Sequence, residues 1–196
     1  MPRFLKKFFK ANSFPWNTFK SYLKNSSLSE LIVDLLFPLV LSVGLLFLTS
    51  EYINNFKALI DKFQQLSGQV IAAISILAGF NIASITIIST ASESTNRLRQ
   101  ARSSRNSSLS LYDILISFFT WAVIIQLIVV LLGIILFYIA SLIPNDFKSI
   151  IPLWAWCSAG FWLTITIHSM FISIRNMKTL YLYVTHNSSQ PPNPTP

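Results

Sequence analysis

Residues 69–89 read QVIAAISILAGFNIASITIIS, twenty-one positions without a charge. At a rise of about 1.5 Å per residue, a helix of that length covers the roughly 30 Å of a bilayer's hydrocarbon core. Three further stretches are mostly apolar and about as long or longer, at 31–49, 114–143 and 150–174. The third span, 114–143, exceeds the need by about ten residues, which predicts tilt or projection beyond the lipid. The spacing predicts an all-α integral membrane protein with four transmembrane helices occupying 31–174, a basic aromatic segment at 1–30 before them and a tail at 175–196 after them.

Composition supports this class. Of the 196 residues 53% are hydrophobic and 11% charged, where a soluble domain carries roughly 25% charged residues. The single cysteine, Cys157, excludes an internal disulfide and any CxxC metal or redox pair. With two histidines and seven carboxylates in the chain, neither a catalytic site, a bound metal nor a cofactor is expected. GxxxxGK[ST], HExxH and GxSxG motifs are all missing.

Basic residues predict the orientation. Arg3, Lys6, Lys7, Lys10, Lys20 and Lys24 precede the first span, Arg97, Arg99, Arg102 and Arg105 lie between the second and third, and Arg175 and Lys178 follow the fourth. Only Lys57, Lys62 and Lys148 lie on the other side. Twelve against three assigns both termini and the arginine loop to the cytoplasm by the positive-inside rule, in what is expected to be a bacterial inner membrane. No cleavable signal peptide is expected, because the first apolar run begins only at Leu31.

In residues 1–10, helical projection groups Phe4, Leu5, Phe8 and Phe9 on one arc and Arg3, Lys6, Lys7 and Lys10 on the other. Such segregation predicts an amphipathic helix lying on anionic headgroups. Trp16, Phe19, Tyr22 and Leu23 repeat the pattern after Pro15; lying on the membrane surface is the preferred expectation for them, packing on the protein's own bundle the alternative. Ile53, Phe56, Ile60, Phe63 and Leu66 recur at helical spacing, so the second span is expected to begin outside the lipid. Four prolines in the last six residues predict a disordered end.

The second span carries the most information. Gly68, Ala72, Ser75, Gly79, Ala83, Thr86 and Thr90 fall within about 80° on a helical projection and form a small-residue stripe. Such stripes let helices approach closely, either within one chain or between copies in a homo-oligomer. Asn81 and Ser84 project away from the stripe, which predicts two protein-facing sides and a central position for this helix. Asn81 and Gln126 lie about 12 and 18 Å from the inner ends of their spans, close enough in depth for their amides to meet as interhelical glue, with a polar pore lining as the rival. Asp34 sits about one turn inside the cytoplasmic boundary and His168 at comparable depth, with Arg175 nearby. An anchoring pair between Asp34 and Arg175 or a loop arginine is preferred over a gate or proton-sensitive switch. Arg97, Arg99, Arg102 and Arg105 are chiefly topogenic; a partner or phosphate patch is the sharper alternative. Nucleic acid is disfavoured, since no aromatic residue interleaves these arginines.

Four spans in about 200 residues, the helix ISILAGFNIASITIIST and an Arg/Ser loop after it resemble small membrane components of bacterial anti-phage systems, such as the membrane subunit of Kiwa-type defence. The resemblance is one of architecture and carries no residue roles. It implies a membrane sensor or effector, often oligomeric, acting with a cytosolic partner. The expected function is therefore a non-enzymatic membrane protein that self-associates and senses or perturbs the inner membrane. The alternatives are a small channel or transporter lined by Asp34, Asn81, Ser84 and Gln126, and an anchor whose arginine loop recruits a soluble protein.

Overall fold

The protein is described by a computed structural model, and the structure describes residues 13–90, 96, 98–102, 109–144, 147 and 149–188. Its main elements are α1 (Phe14–Asn25), α2 (Leu28–Tyr52), α3 (Phe56–Thr90), α4 (Leu111–Ser141) and α5 (Leu153–Ser188). The last four are long and apolar enough to cross a membrane. Among the described residues no strand forms beyond an isolated bridge between Arg102 and Ser110. Residues 1–12 and 189–196, and with them the segregated face of Arg3, Phe4, Lys6, Lys7, Phe8, Phe9 and Lys10, lie outside the described residues.

Local chemistry sets the helix ends. Ser27 accepts from the Glu30 backbone N–H while the Glu30 carboxylate accepts from that of Ser27, a capping box that starts α2 only two residues after α1 ends. Ser110 and Asp113 form the same motif at the start of α4. From Phe56 onward the outer pattern and the apolar run after it are one unbroken helix of 35 residues, because neither Pro nor Gly interrupts it before Gly68; Ile53, expected in the same pattern, is instead extended and ends α2. In α2 the segment Ile32–Leu36 widens into a π turn. Pro38 explains it: a proline has no N–H for the carbonyl four residues back, and its ring crowds that carbonyl.

The fourth span is the hub. α5 packs against α2, α3 and α4, and α3 and α4 pair with each other. Of its most apolar window 44% is buried, against 28% for α3. Within one chain the expectation that α3 is the central helix is therefore corrected. Ser67, Val70, Ile74, Ala78, Asn81, Ser84 and Ile88 form its one buried face, and all seven residues of the small stripe are exposed. α2 is inverted relative to a soluble helix, since its buried side is Asp34, Pro38 and Ser42 and its exposed side is leucine, valine and phenylalanine. Hydrocarbon as the outer solvent makes that pattern stable. The Ser42 hydroxyl donates to the Pro38 carbonyl at 2.7 Å, so this buried polar group is satisfied within its own helix.

α1 also departs from the preferred expectation. Tyr22 is fully buried with Trp121, Ala122, Ile125 and Ile172, and Phe19 and Leu23 pack around them. Phe19 lies 4.7 Å from Trp121, centroid to centroid. These aromatics pack on the protein's own bundle; the receiver is the end of the bundle rather than a soluble domain. Phe14 and Trp16 remain exposed.

Candidate functional site

Two buried polar constellations tie the helices together. The first is centred on Asp34, which is 1% exposed. Pro38 deprives the Asp34 carbonyl of its helical donor, and His168 Nδ1 sits 2.6 Å from that oxygen. Trp121 Nε1 donates to His168 Nε2 at 3.3 Å. A nitrogen that accepts is unprotonated, so the imidazole proton resides on Nδ1 and is donated to Asp34. One indole N–H thereby selects the tautomer that repairs the backbone defect.

The Asp34 side chain meets a different set of groups. Its Oδ2 lies 2.5 Å from Arg175 Nη1 and accepts from the Tyr22 hydroxyl at 2.9 Å. Burial, and then the Asp34 charge, push the Tyr22 phenol well above its ordinary value of 10.0, so it stays protonated and donates. Among the described residues Arg175 Nε and Nη2 have no hydrogen-bond acceptor. Its guanidinium lies over the rings of Phe118 and Tyr22, at 4.6 and 5.1 Å, where aromatic faces offset the remaining charge. The cluster joins α1, α2, α4 and α5 at one end of the bundle.

The second constellation lies between α3, α4 and α5. Asn81 Nδ2 donates to Gln126 Oε1 at 3.1 Å and to Ser173 Oγ at 3.0 Å. Gln126 Nε2 donates to the same Ser173 oxygen at 2.6 Å, and Ser173 donates onward to the Ser169 carbonyl at 3.0 Å. Asn176 Nδ2 reaches Phe118 O and Asn81 Oδ1, at 3.3 and 3.5 Å. Ser173 has two acceptor lone pairs and one proton, and all three are used.

Of the residues singled out from sequence, the structure brings Asn81 to Gln126 and Asp34 to Arg175, with His168 beside the second pair. Ser84 is buried but donates only to the Phe80 carbonyl of its own helix at 2.9 Å. Gly68, Ala72, Ser75, Gly79, Ala83, Thr86 and Thr90 are all on the surface, and a Cβ added at Gly68 or Gly79 would meet nothing within 4 Å. Arg99 and Arg102 are exposed, with Arg99 over the Tyr112 ring at 4.5 Å. Arg97 and Arg105 lie outside the described residues.

Trp121, Ser173 and Asn176 are not marked by the sequence patterns above, and Tyr22 is marked there only as one of an aromatic face, not as a partner of Asp34. A signal for two of them was available: Thr166, Ser169, Ser173 and Asn176 recur at helical spacing in the fourth span and are all buried. Nothing local marks Trp121, and the aromatic pattern that includes Tyr22 reads as interfacial until the docking of α1 is known. No family model matches the chain, and no curated protein or solved structure matches it either.

Proposed function

We propose that the protein is a non-enzymatic membrane protein that self-associates through the small-residue stripe of α3 and senses or perturbs the inner membrane, with both termini in the cytoplasm. The observation that carries this reading is the exposure of all seven stripe residues, Gly68 to Thr90, on a helix whose intramolecular contacts are made by the opposite face. Small side chains facing lipid gain nothing from hydrocarbon, whereas against another helix they allow close backbone packing. The resemblance to anti-phage membrane components makes phage defence, with a cytosolic partner, the proposed setting. Glue rather than a water path is supported by the use of Asn81 and Gln126 amide hydrogens in interhelical hydrogen bonds.

The test is the particle size of Gly79→Leu in mild detergent, beside Val40→Leu on the exposed face of α2. Gly79→Leu should reduce the assembly to monomer and Val40→Leu should not. An unchanged size with Gly79→Leu overturns the assignment. Loss of folding also overturns it, since the space at Gly79 is open in the single chain.

A further inference from the structure

At the end of the bundle far from Asp34, the helices part. A cavity of about 370 Å³ lies between the first turns of α3, the end of α4 and the first turns of α5, a size within the range of small-ligand sites. Leu59, Phe63, Leu136, Ala140, Ala155 and Ala159 line it, and the polar side chains at its wall are those of Gln64 and Ser158. Gln64 Nε2 is engaged with the Phe137 carbonyl at 3.4 Å. A water needs two to four polar partners, so this wall favours an apolar occupant.

Depth specifies the occupant further, on the reading that the chain spans the membrane. Counting from Arg175 along α5 at about 1.5 Å per residue, Ala159 lies about 24 Å away and Trp154 about 32 Å away. The hydrocarbon core is about 30 Å thick. With the Asp34–Arg175 pair at one boundary, the inner part of the cavity lies within hydrocarbon and its Trp154 end at the opposite headgroup level, where tryptophan is favoured. Phe56 packs edge-on against Phe147 and Trp154 at that end, at 6.0 and 5.6 Å.

We propose that this cavity binds one acyl chain of a membrane phospholipid, with the tail between α3, α4 and α5 and the headgroup at the level of Trp154. The full-length protein is reconstituted in phosphatidylglycerol and phosphatidylethanolamine vesicles containing a phosphatidylcholine with a diazirine on its acyl chain, then irradiated and mapped by peptide mass spectrometry. Label should concentrate on residues 56–64 and 136–143 relative to the exposed face of α2.

Ala155→Phe fills the cavity from inside, and Ile139→Trp, at a half-exposed lining position, blocks it without disturbing the core. Displacing two or more methylenes should cut the cavity label about tenfold and leave the α2 label unchanged. If Ala155→Phe fails to fold, Ile139→Trp decides alone. Equal label density on α2 and the cavity segments, or cavity label unaffected by Ile139→Trp, overturns the proposal. Label from a diazirine fatty acid but not from the phospholipid overturns the phospholipid assignment. These readouts do not depend on self-association, so either proposal can fail without the other.

Discussion

His168 is bound to a backbone defect: its Nδ1 lies 2.6 Å from the Asp34 carbonyl, the one that Pro38 cannot serve. The defect and its repair lie on helices separated by most of the chain. Span one therefore has a specific rotation relative to α5, although its exposed surface is almost uniformly aliphatic.

That relationship couples Pro38→Ala to His168→Leu. Alanine at 38 restores an intrahelical donor to Asp34, so His168→Leu should destabilise less in the Pro38→Ala background than in the native one. A thermal-unfolding double-mutant cycle in detergent should give a coupling of about 0.5–3 kcal/mol. Additive effects would mean that His168 does not act through the Pro38 defect.

The Asp34–Arg175 pair predicts an asymmetric series. Arg175→Met or Asp34→Leu alone leaves one buried charge and should cost about 3–5 kcal/mol, while the double replacement should recover much of the loss. Unfolding midpoints of the three variants check this.

Tyr22→Phe removes a hydrogen bond to a charged acceptor and should loosen α1 by about 1.5–3 kcal/mol, read as faster proteolysis between α1 and α2. Alkali gives a second readout. The folded phenol is held protonated above the ordinary value of 10.0, so above that pH the unfolded state binds fewer protons and stability falls as pH rises. Tyr22→Phe should remove that part of the slope.

Ser173→Ala strips Asn81 and Gln126 of a shared acceptor. An interhelical hydrogen bond in a membrane contributes about 0.6 kcal/mol, so a loss of about 1 kcal/mol is expected from the two. Ser84→Ala, whose hydroxyl donates only within its own helix, should be close to neutral by the same thermal measurement.

Orientation is tested by cysteine accessibility in a Cys157→Ser background, which is needed because Cys157 is exposed. Cysteine at 188 or 104 should react only from the cytoplasm and cysteine at 51 only from outside. Labelling of 104 from outside would reverse the orientation.

The four helices are legible in the sequence because crossing a membrane is a local requirement: length and apolarity of one continuous run suffice. Depth is legible too, since a constant rise per residue brings Asn81 near Gln126, and Asp34 near Arg175, before any packing is known. Which face of each helix turns inward is a different matter. In water, burial separates apolar from polar; in lipid, both the protein interior and the solvent are apolar, so hydrophobicity does not distinguish them. Hence only the tertiary structure decided that the stripe from Gly68 to Thr90 is exposed, that α5 rather than α3 is the hub, and that Tyr22 leaves the interface to donate to Asp34.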